Sequence, residues 1–363
     1  MDSRLPSSNN ELSTMGNLPE GRTSFERVRL AILYCLFFLI TLGLGYPILN
    51  RYDPRQTAGL TDVQSYAALV TGQTPPGAPH VRFRVLVPWV ARPFYLAAKG
   101  RSGSWDPVMF GLLTADALFV AATALLVVIL GTRQLGSYPV SLVASLLYLV
   151  NFAVPNLRLA GLVDAGEGFF LLALLWALSE NELWNLPFIA VLGALTKESF
   201  IPLSIAFTAA WWLVARSNRQ SQAQSAIWII ASWAAGFLTE IGLQRVIADR
   251  WVTPIEFASA MHGNSNYLGH FASSLWERNL LYVFIWLLPM GMPGLRRLPM
   301  SWVIPTAAAA ATVFAVDGYY GGAPGTVSRA LFSVAGPLLA LSSASFLCDW
   351  NPRVATSEIC WKL

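Results

Sequence analysis

Charge is what this sequence has least of. Lys, Arg, Asp and Glu make up 12% of its 363 residues, roughly half the quarter that a soluble domain carries. That excludes a water-soluble globular body, and the 55% hydrophobic content places the chain in a membrane. Cysteine is almost absent. Cys35, Cys348 and Cys360 fall in a span, at the end of one and in the tail, which gives neither a metal spacing nor a disulfide framework. Ten-residue alternating segments are missing too, so the spanning elements are helices and not barrel strands. No small-residue cleavage site follows the first apolar run, which therefore reads as a retained helix. There is no tandem repeat. The net charge of +4 does not suggest nucleic acid; a mildly basic membrane protein carries such charge on cytoplasmic loops and against anionic headgroups.

What the chain does have is a succession of apolar runs of membrane-helix length. They predict an all-α, polytopic transmembrane bundle of about ten spans: Leu30–Leu49, Val108–Leu130, Tyr138–Phe152, Leu162–Leu178, Leu186–Leu195, Ile201–Ala215, Ala226–Leu243, Leu280–Met290, Trp302–Val316 and Ala330–Leu347. Residues 1–29 read as a disordered cytoplasmic leader, 30–348 as the membrane domain and 349–363 as a cytoplasmic tail. Arg22, Arg27 and Arg29 before the first span hold the N-terminus inside. With Arg133, Arg216, Arg219, Arg296 and Arg297 on the same side, both termini are cytoplasmic and the polar loops face outward.

One segment, residues 50–101, concentrates the polar residues that the rest of the chain lacks. Thr61 to Gly72 reads as a short helix with Val63, Tyr66, Ala67 and Val70 on one face, ended by Thr74-Pro75-Pro76-Gly77. Arg84 to Ala98 is apolar but short and interrupted by Pro88, Arg92 and Pro93, so it is expected to lie in the membrane interface as an amphipathic helix. Asp62 is the first candidate for chemistry. A carboxylate there can deprotonate an acceptor hydroxyl or hold a divalent cation such as Mg²⁺ or Mn²⁺; the same position also suits an N-cap. Asp53, before Pro54, reads as a turn residue. Arg82 and Arg84 sit two apart, which in an extended segment points both guanidiniums one way, toward a phosphate or a headgroup.

Further along, Asp164 and Glu167 share a helix face at the outer end of an apolar run, and Lys197-Glu198 interrupts two more. Ionisable groups in such places face a cavity or a partner. Each pair is either a structural ion-pair set or part of a site. Asp116, inside its span, is a partner for a basic group of this set. His262 and His270 match no metal motif and read as a loop over the cavity. Arg329, at the start of the last span, is either a phosphate or sugar contact or a snorkelling anchor. Charges converging from five outer loops suggest a cavity on that side.

The order of a first span, an outer loop with an acidic residue and an amphipathic helix resembles the GT-C superfamily of membrane glycosyltransferases. Asp62…Tyr66…Arg82-Phe83-Arg84-Val85-Leu86-Val87-Pro88 resembles their first outer loop. Leu195-Thr196-Lys197-Glu198-Ser199 resembles their lysine-glutamate motif, and Ser328-Arg329 is similar to the approach to their last span. The resemblance implies a sugar carried on a polyprenyl phosphate and transferred outside the membrane, in bacteria at the inner (plasma) membrane, to a glycan, lipid or protein acceptor. It implies Asp62 as the base, and Arg82, Arg84, Lys197 and Arg329 as the groups that neutralise the departing lipid phosphate, with Tyr66, Asp164, Glu167, Glu198 and His262 around the substrate. The chain departs from the family in having no Asp-Asp or Asp-x-Asp in that loop and no soluble C-terminal acceptor domain, which leaves metal use open. A transporter or flippase and a non-catalytic subunit are the other classes that the composition allows.

Overall fold

The computed structural model describes residues 20–51, 61–75, 79–101, 103–215, 219–249, 251, 267–320 and 325–349. Most of the expected leader, Asp53, His262, Cys360 and the tail lie outside the described residues. Among those described, every regular element is helical: α1 (Glu20–Arg51), α2 (Thr61–Thr71), α3 (Leu86–Ala98), α4 (Pro107–Leu135), α5 (Tyr138–Val150), α6 (Asp164–Ser179), α7 (Leu186–Thr196), α8 (Phe200–Val214), α9 (Arg219–Ala248), α10 (Tyr267–Leu275), α11 (Arg278–Phe284), α12 (Leu287–Gly294), α13 (Met300–Tyr320) and α14 (Thr326–Asp349). α1 starts ten residues before the expected first span.

α4 is the hub, and its sequence punctuates both ends. Asp106 caps it, accepting from the N–H groups of Val108 (2.8 Å) and Met109 (3.0 Å), and Pro107 fits the first turn because it has no N–H to leave unpaired. Gly136 closes it with φ +66°, in the left-handed region that glycine adopts freely. α1, α3, α5 and α6 all pack on α4. Gly111 of α4 lets α3 come close, since a Cβ there would lie 2.8 Å from the Ala91 carbonyl. α3 returns antiparallel along the first turns of α4, which carries its N-terminal end toward Gly166 of α6. Its outer face, with Trp89, Arg92, Pro93 and Leu96, is exposed, the two-faced pattern of a bilayer-surface helix.

The bundle is apolar outside as well as in. Large apolar side chains such as Ile32, Leu36, Leu39, Val150, Ile227, Ile230 and Leu238 face outward, whereas Thr114, Thr123, Ser141, Ser145 and Thr208 are buried. The hydroxyls satisfy themselves on backbone carbonyls, for example Thr114 on Phe110 (2.7 Å) and Ser145 across helices on Ala124 (2.7 Å). That arrangement belongs in lipid.

Among the described residues, five helices are long and apolar enough to cross a membrane: Glu26–Asn50, Pro107–Leu135, Ala223–Ile247, Met300–Tyr319 and Thr326–Cys348. The other expected spans are shorter. α5, α6, α7 and α8 have 13, 16, 11 and 15 residues, or roughly 17–24 Å at 1.5 Å per residue, against a hydrocarbon core of about 30 Å. The expected Leu280–Met290 span is divided between α11 and α12.

Candidate functional site

Two breaks in helical structure build the site. The first lies between α7 and α8. Lys197 is extended (φ −164°, ψ 137°) and its N–H returns to Gly193. Gly193 leaves room for the Phe200 ring, which a Cβ would strike. Both charged side chains of Lys197-Glu198 are thereby projected between helices. The second break lies between α5 and α6, where a single π-helical turn, Val154–Arg158, precedes Gly161 at φ +76°. Such turns leave backbone groups to be satisfied by side chains. Asn151 does so by accepting from Ala153 N (2.9 Å) and donating to the Val283 carbonyl (2.9 Å).

From the first break, Glu198 reaches the loop before α3. Arg84 grips it with two parallel donors, Nε to Oε2 at 2.7 Å and Nη2 to Oε1, the bidentate geometry that suits guanidinium and carboxylate. Arg84 Nη1 also donates to Tyr66 Oη at 2.9 Å and lies 3.7 Å from Asp62 Oδ2. A backbone bond from Val85 N to Leu195 O (2.9 Å) ties the same two segments together.

From the second break, α6 opens with Asp164 and Glu167 in its first turn, where the helix dipole favours negative charge. Lys197 Nζ sits between them, 2.8 Å from Asp164 and 3.3 Å from Glu167. Arg329 Nη1 lies 3.5 Å from the other Asp164 oxygen. Ser199 donates to Glu167, and Ser333 donates to Glu167 at 3.3 Å. Arg158, 1% exposed, clamps the whole. It donates to the Asp164 carbonyl, to the Arg329 carbonyl (3.0 Å) and to Ser333 Oγ (2.7 Å), and it lies over the Phe332 ring.

The structure therefore gathers Asp62, Tyr66, Arg84 and Glu198 into one bonded group and Asp164, Glu167, Lys197 and Arg329 into another, and the adjacent residues Lys197 and Glu198 join the two into a single cluster. Its four cations (Arg84, Arg158, Lys197, Arg329) face four carboxylates (Asp62, Asp164, Glu167, Glu198), so the cluster is formally neutral. Burial raises the Glu198 pKa, but the Arg84 charge and its hydrogen bonds outweigh burial and bring it down to about 2. Burial dominates at Tyr66 and holds its phenol well above the ordinary value against the pull of Arg84. Burial lowers Lys197, and the nearby carboxylates Asp164 and Glu167 more than restore it. Glu198 and Lys197 are thus held in their charged forms.

Among the described residues no three His, Cys, Asp or Glu side chains group as metal ligands. Between Asp164 and Glu167, where a cation would sit, the Lys197 ammonium already does. Of the sequence candidates, His262 lies outside the described residues. Arg82 forms no ion pair with a described residue, and its Nε is buried without a hydrogen-bond partner.

Several participants carry no sequence motif. Arg158 was legible only as a charge in an apolar setting, Ser333 only as a residue one turn after Arg329. Glu240 and Gln244, buried on α9 and bonded to each other (Nε2 to Oε1, 3.0 Å), lie within electrostatic reach of Arg84 and Glu198. Asp116, fully buried in α4, has no hydrogen-bond partner for either oxygen; the Gly161 N–H approaches it without reaching bonding geometry. At the opposite end of the bundle, the last turns of α4, α6 and α8 and the first of α13 enclose a cavity of about 620 Å³, lined by Arg133, Glu180, Trp211 and Trp302 among others. Compared with known proteins, the chain matches no protein-family model and no curated protein sequence.

Proposed function

We propose that the chain is a membrane glycosyltransferase that takes a sugar from a polyprenyl-phosphate donor and passes it to a glycan, lipid or protein hydroxyl on the non-cytoplasmic face. The observation that carries this reading is the convergence of Asp62, Tyr66 and Arg84 from one loop with Lys197, Glu198, Asp164 and Arg329 from three other segments. Asp62 is the base because it is the most open of the four carboxylates: its side chain is 34% exposed, against 16% for Glu198, 3% for Asp164 and 0% for Glu167. It takes the proton of the acceptor hydroxyl as that oxygen bonds to the anomeric carbon. The bond from that carbon to the phosphate oxygen breaks, and the electron pair leaves with the polyprenyl phosphate. Arg82, not committed to an ion pair within the cluster, meets that phosphate first. Arg84, Lys197 and Arg329 stand behind it, and positive charge aimed at a developing anion in a dry site lowers the barrier.

In this reading α5–α8 and the α11–α12 pair complete about ten crossings, both termini are cytoplasmic, and the membrane is the bacterial inner membrane. The test is Asp62→Asn assayed for transfer from a labelled polyprenyl-phosphate sugar. Activity is expected to vanish while the protein remains monodisperse in detergent; transfer near the wild-type rate would remove Asp62 as the base.

A second reading, transport, is favoured by one observation. Asp116 lies buried inside α4, and the 620 Å³ cavity opens at the opposite end of the same helix, so polar groups occur on the way to both faces. Counterflow of a labelled polyprenyl-phosphate sugar in proteoliposomes, without transfer, would select it.

A further inference from the structure

Buried polar atoms in folded proteins nearly always have partners, and an exception calls for an explanation such as a missing ligand. α9 holds two such exceptions side by side. Glu240 and Gln244 are one turn apart, 7% and 4% exposed, and both point into the bundle from a helix otherwise apolar enough to span a membrane. The bond from Gln244 Nε2 to Glu240 Oε1 fixes the amide orientation. It leaves Glu240 Oε2 and Gln244 Oε1 as buried oxygens with no donor. Two acceptors flanking one hydrogen bond match the vicinal hydroxyls of a sugar, each of which donates one proton. The pair also lies on the helix next to the right chemistry, because α9 packs on α7 and on the turn Pro79–Phe83 that leads to Arg84.

We infer that Glu240 and Gln244 form the subsite that binds the hydroxyl groups of the glycosyl unit, placing the sugar on the α9 side of the Arg84–Glu198 pair. The inference rests on the glycosyltransferase reading and names where that reading puts the sugar. Two unpartnered acceptors also destabilise the empty protein, since each forgoes the hydrogen bond it had with water. A ligand site and a structural pair therefore differ in what their removal does.

The experiment uses the full chain in nanodiscs, with thermal unfolding as the readout. The probes are a short-chain polyprenyl phosphate, bare or bearing glucose, mannose or arabinose. Wild type is expected to be stabilised by the bare lipid and further by at least one glycosylated form. In Glu240→Leu/Gln244→Leu the empty protein should unfold no lower than wild type and the bare-lipid shift should persist, while the sugar-dependent increment disappears. Glu240→Gln, the milder variant, should weaken the preferred glycosyl lipid about tenfold. A sugar increment intact in both variants overturns the subsite while leaving the lipid-phosphate site standing. So does an empty double variant that unfolds well below wild type, which marks a structural pair, or a wild-type shift from Mg²⁺ alone that Glu240→Gln abolishes, which marks a cation site. No wild-type response to any of the lipids overturns the glycosyltransferase reading itself, and the subsite with it.

Discussion

α6 connects two ends of the bundle that treat charge in opposite ways. At its first turn Asp164 and Glu167 are shut inside a cluster in which every carboxylate faces a cation. At its last turn Glu180 meets Arg133 at the mouth of an open cavity, with the arginine side chain 58% exposed. Both are ion pairs on a distance criterion. The difference is what replaces a lost partner. At the open end water does; around Asp164 and Glu167 nothing does, so each group there is held in place by the cost of stranding its neighbour.

The sharpest way to test that contrast is Lys197→Met. It leaves two carboxylates, at most 3% exposed, facing each other across an apolar gap. Losing one partner of a buried pair costs about 3–5 kcal/mol, and here one residue serves two. We expect loss of monodisperse protein, or a fall in unfolding temperature larger than for any other substitution discussed here. A folded, stable Lys197→Met protein would mean that water reaches the cluster.

Next in size is the Arg84–Glu198 fork. Arg84→Met should be severe because Glu198 is left alone. Arg84→Met/Glu198→Gln should recover part of the loss, giving a coupling of roughly 1.5–3 kcal/mol in a double-mutant cycle. The pH dependence has a definite sign. The folded value of Glu198, about 2, lies below the ordinary glutamate value of 4.5. Its contribution is therefore complete above about pH 4.5 and is lost as the pH falls through about 2. The gap in unfolding temperature between wild type and Glu198→Gln should narrow across that window. A gap that held constant to pH 2 would sever the link between the pair and stability.

How much of this the sequence showed depends on range. The helices were legible because apolar runs announce themselves locally; a charge in or between such runs singled out Asp164, Glu167, Lys197 and Glu198 without any fold, and Asp62 stood out by opening a short helix in the polar segment 50–101. Which charge meets which was not legible. Arg84 and Glu198 are 114 positions apart, and Asp164 and Arg329 are 165, so only the packing of the helices pairs them. Helix length was hidden for a related reason. Apolar runs of 10 to 17 residues read as crossings, and where a run begins beside a break such as the π-turn at Val154–Arg158 its helix comes out short. Glu240 was passed over although the rule that picked Asp116, an acid within an apolar run, applies to it equally.

Asp116 lies between the two extremes. It is as buried as Glu167 but has no ion-pair partner among the described residues and no hydrogen bond to either oxygen. Asp116→Asn keeps the shape and removes the ionisable group. A carboxyl buried without a partner is costly in either protonation state, so the substitution should leave stability unchanged or raise it by about 1 kcal/mol, the reverse of any change at Asp164. Destabilisation comparable to Lys197→Met would show that Asp116 pairs with Arg158 in the working protein and belongs to the cluster.

The smallest effect is expected at the open end. Arg133→Ala removes a guanidinium that is mostly in water, from a pair in which Glu180 is itself partly exposed. Exposed pairs contribute about 0–1 kcal/mol, because solvent screens the attraction and two long side chains lose freedom to meet. Added salt should erase what remains, since ions screen exposed charges over about 10 Å at 0.1 M. The unfolding temperature of Arg133→Ala should therefore stay close to wild type, and closer still in high salt, whereas Lys197→Met should be insensitive to salt. If Arg133→Ala were instead as damaging as Lys197→Met and equally indifferent to salt, the cavity would be closed in the membrane. Both ends of α6 would then be buried sites, and the asymmetry that points to chemistry at one face would be gone.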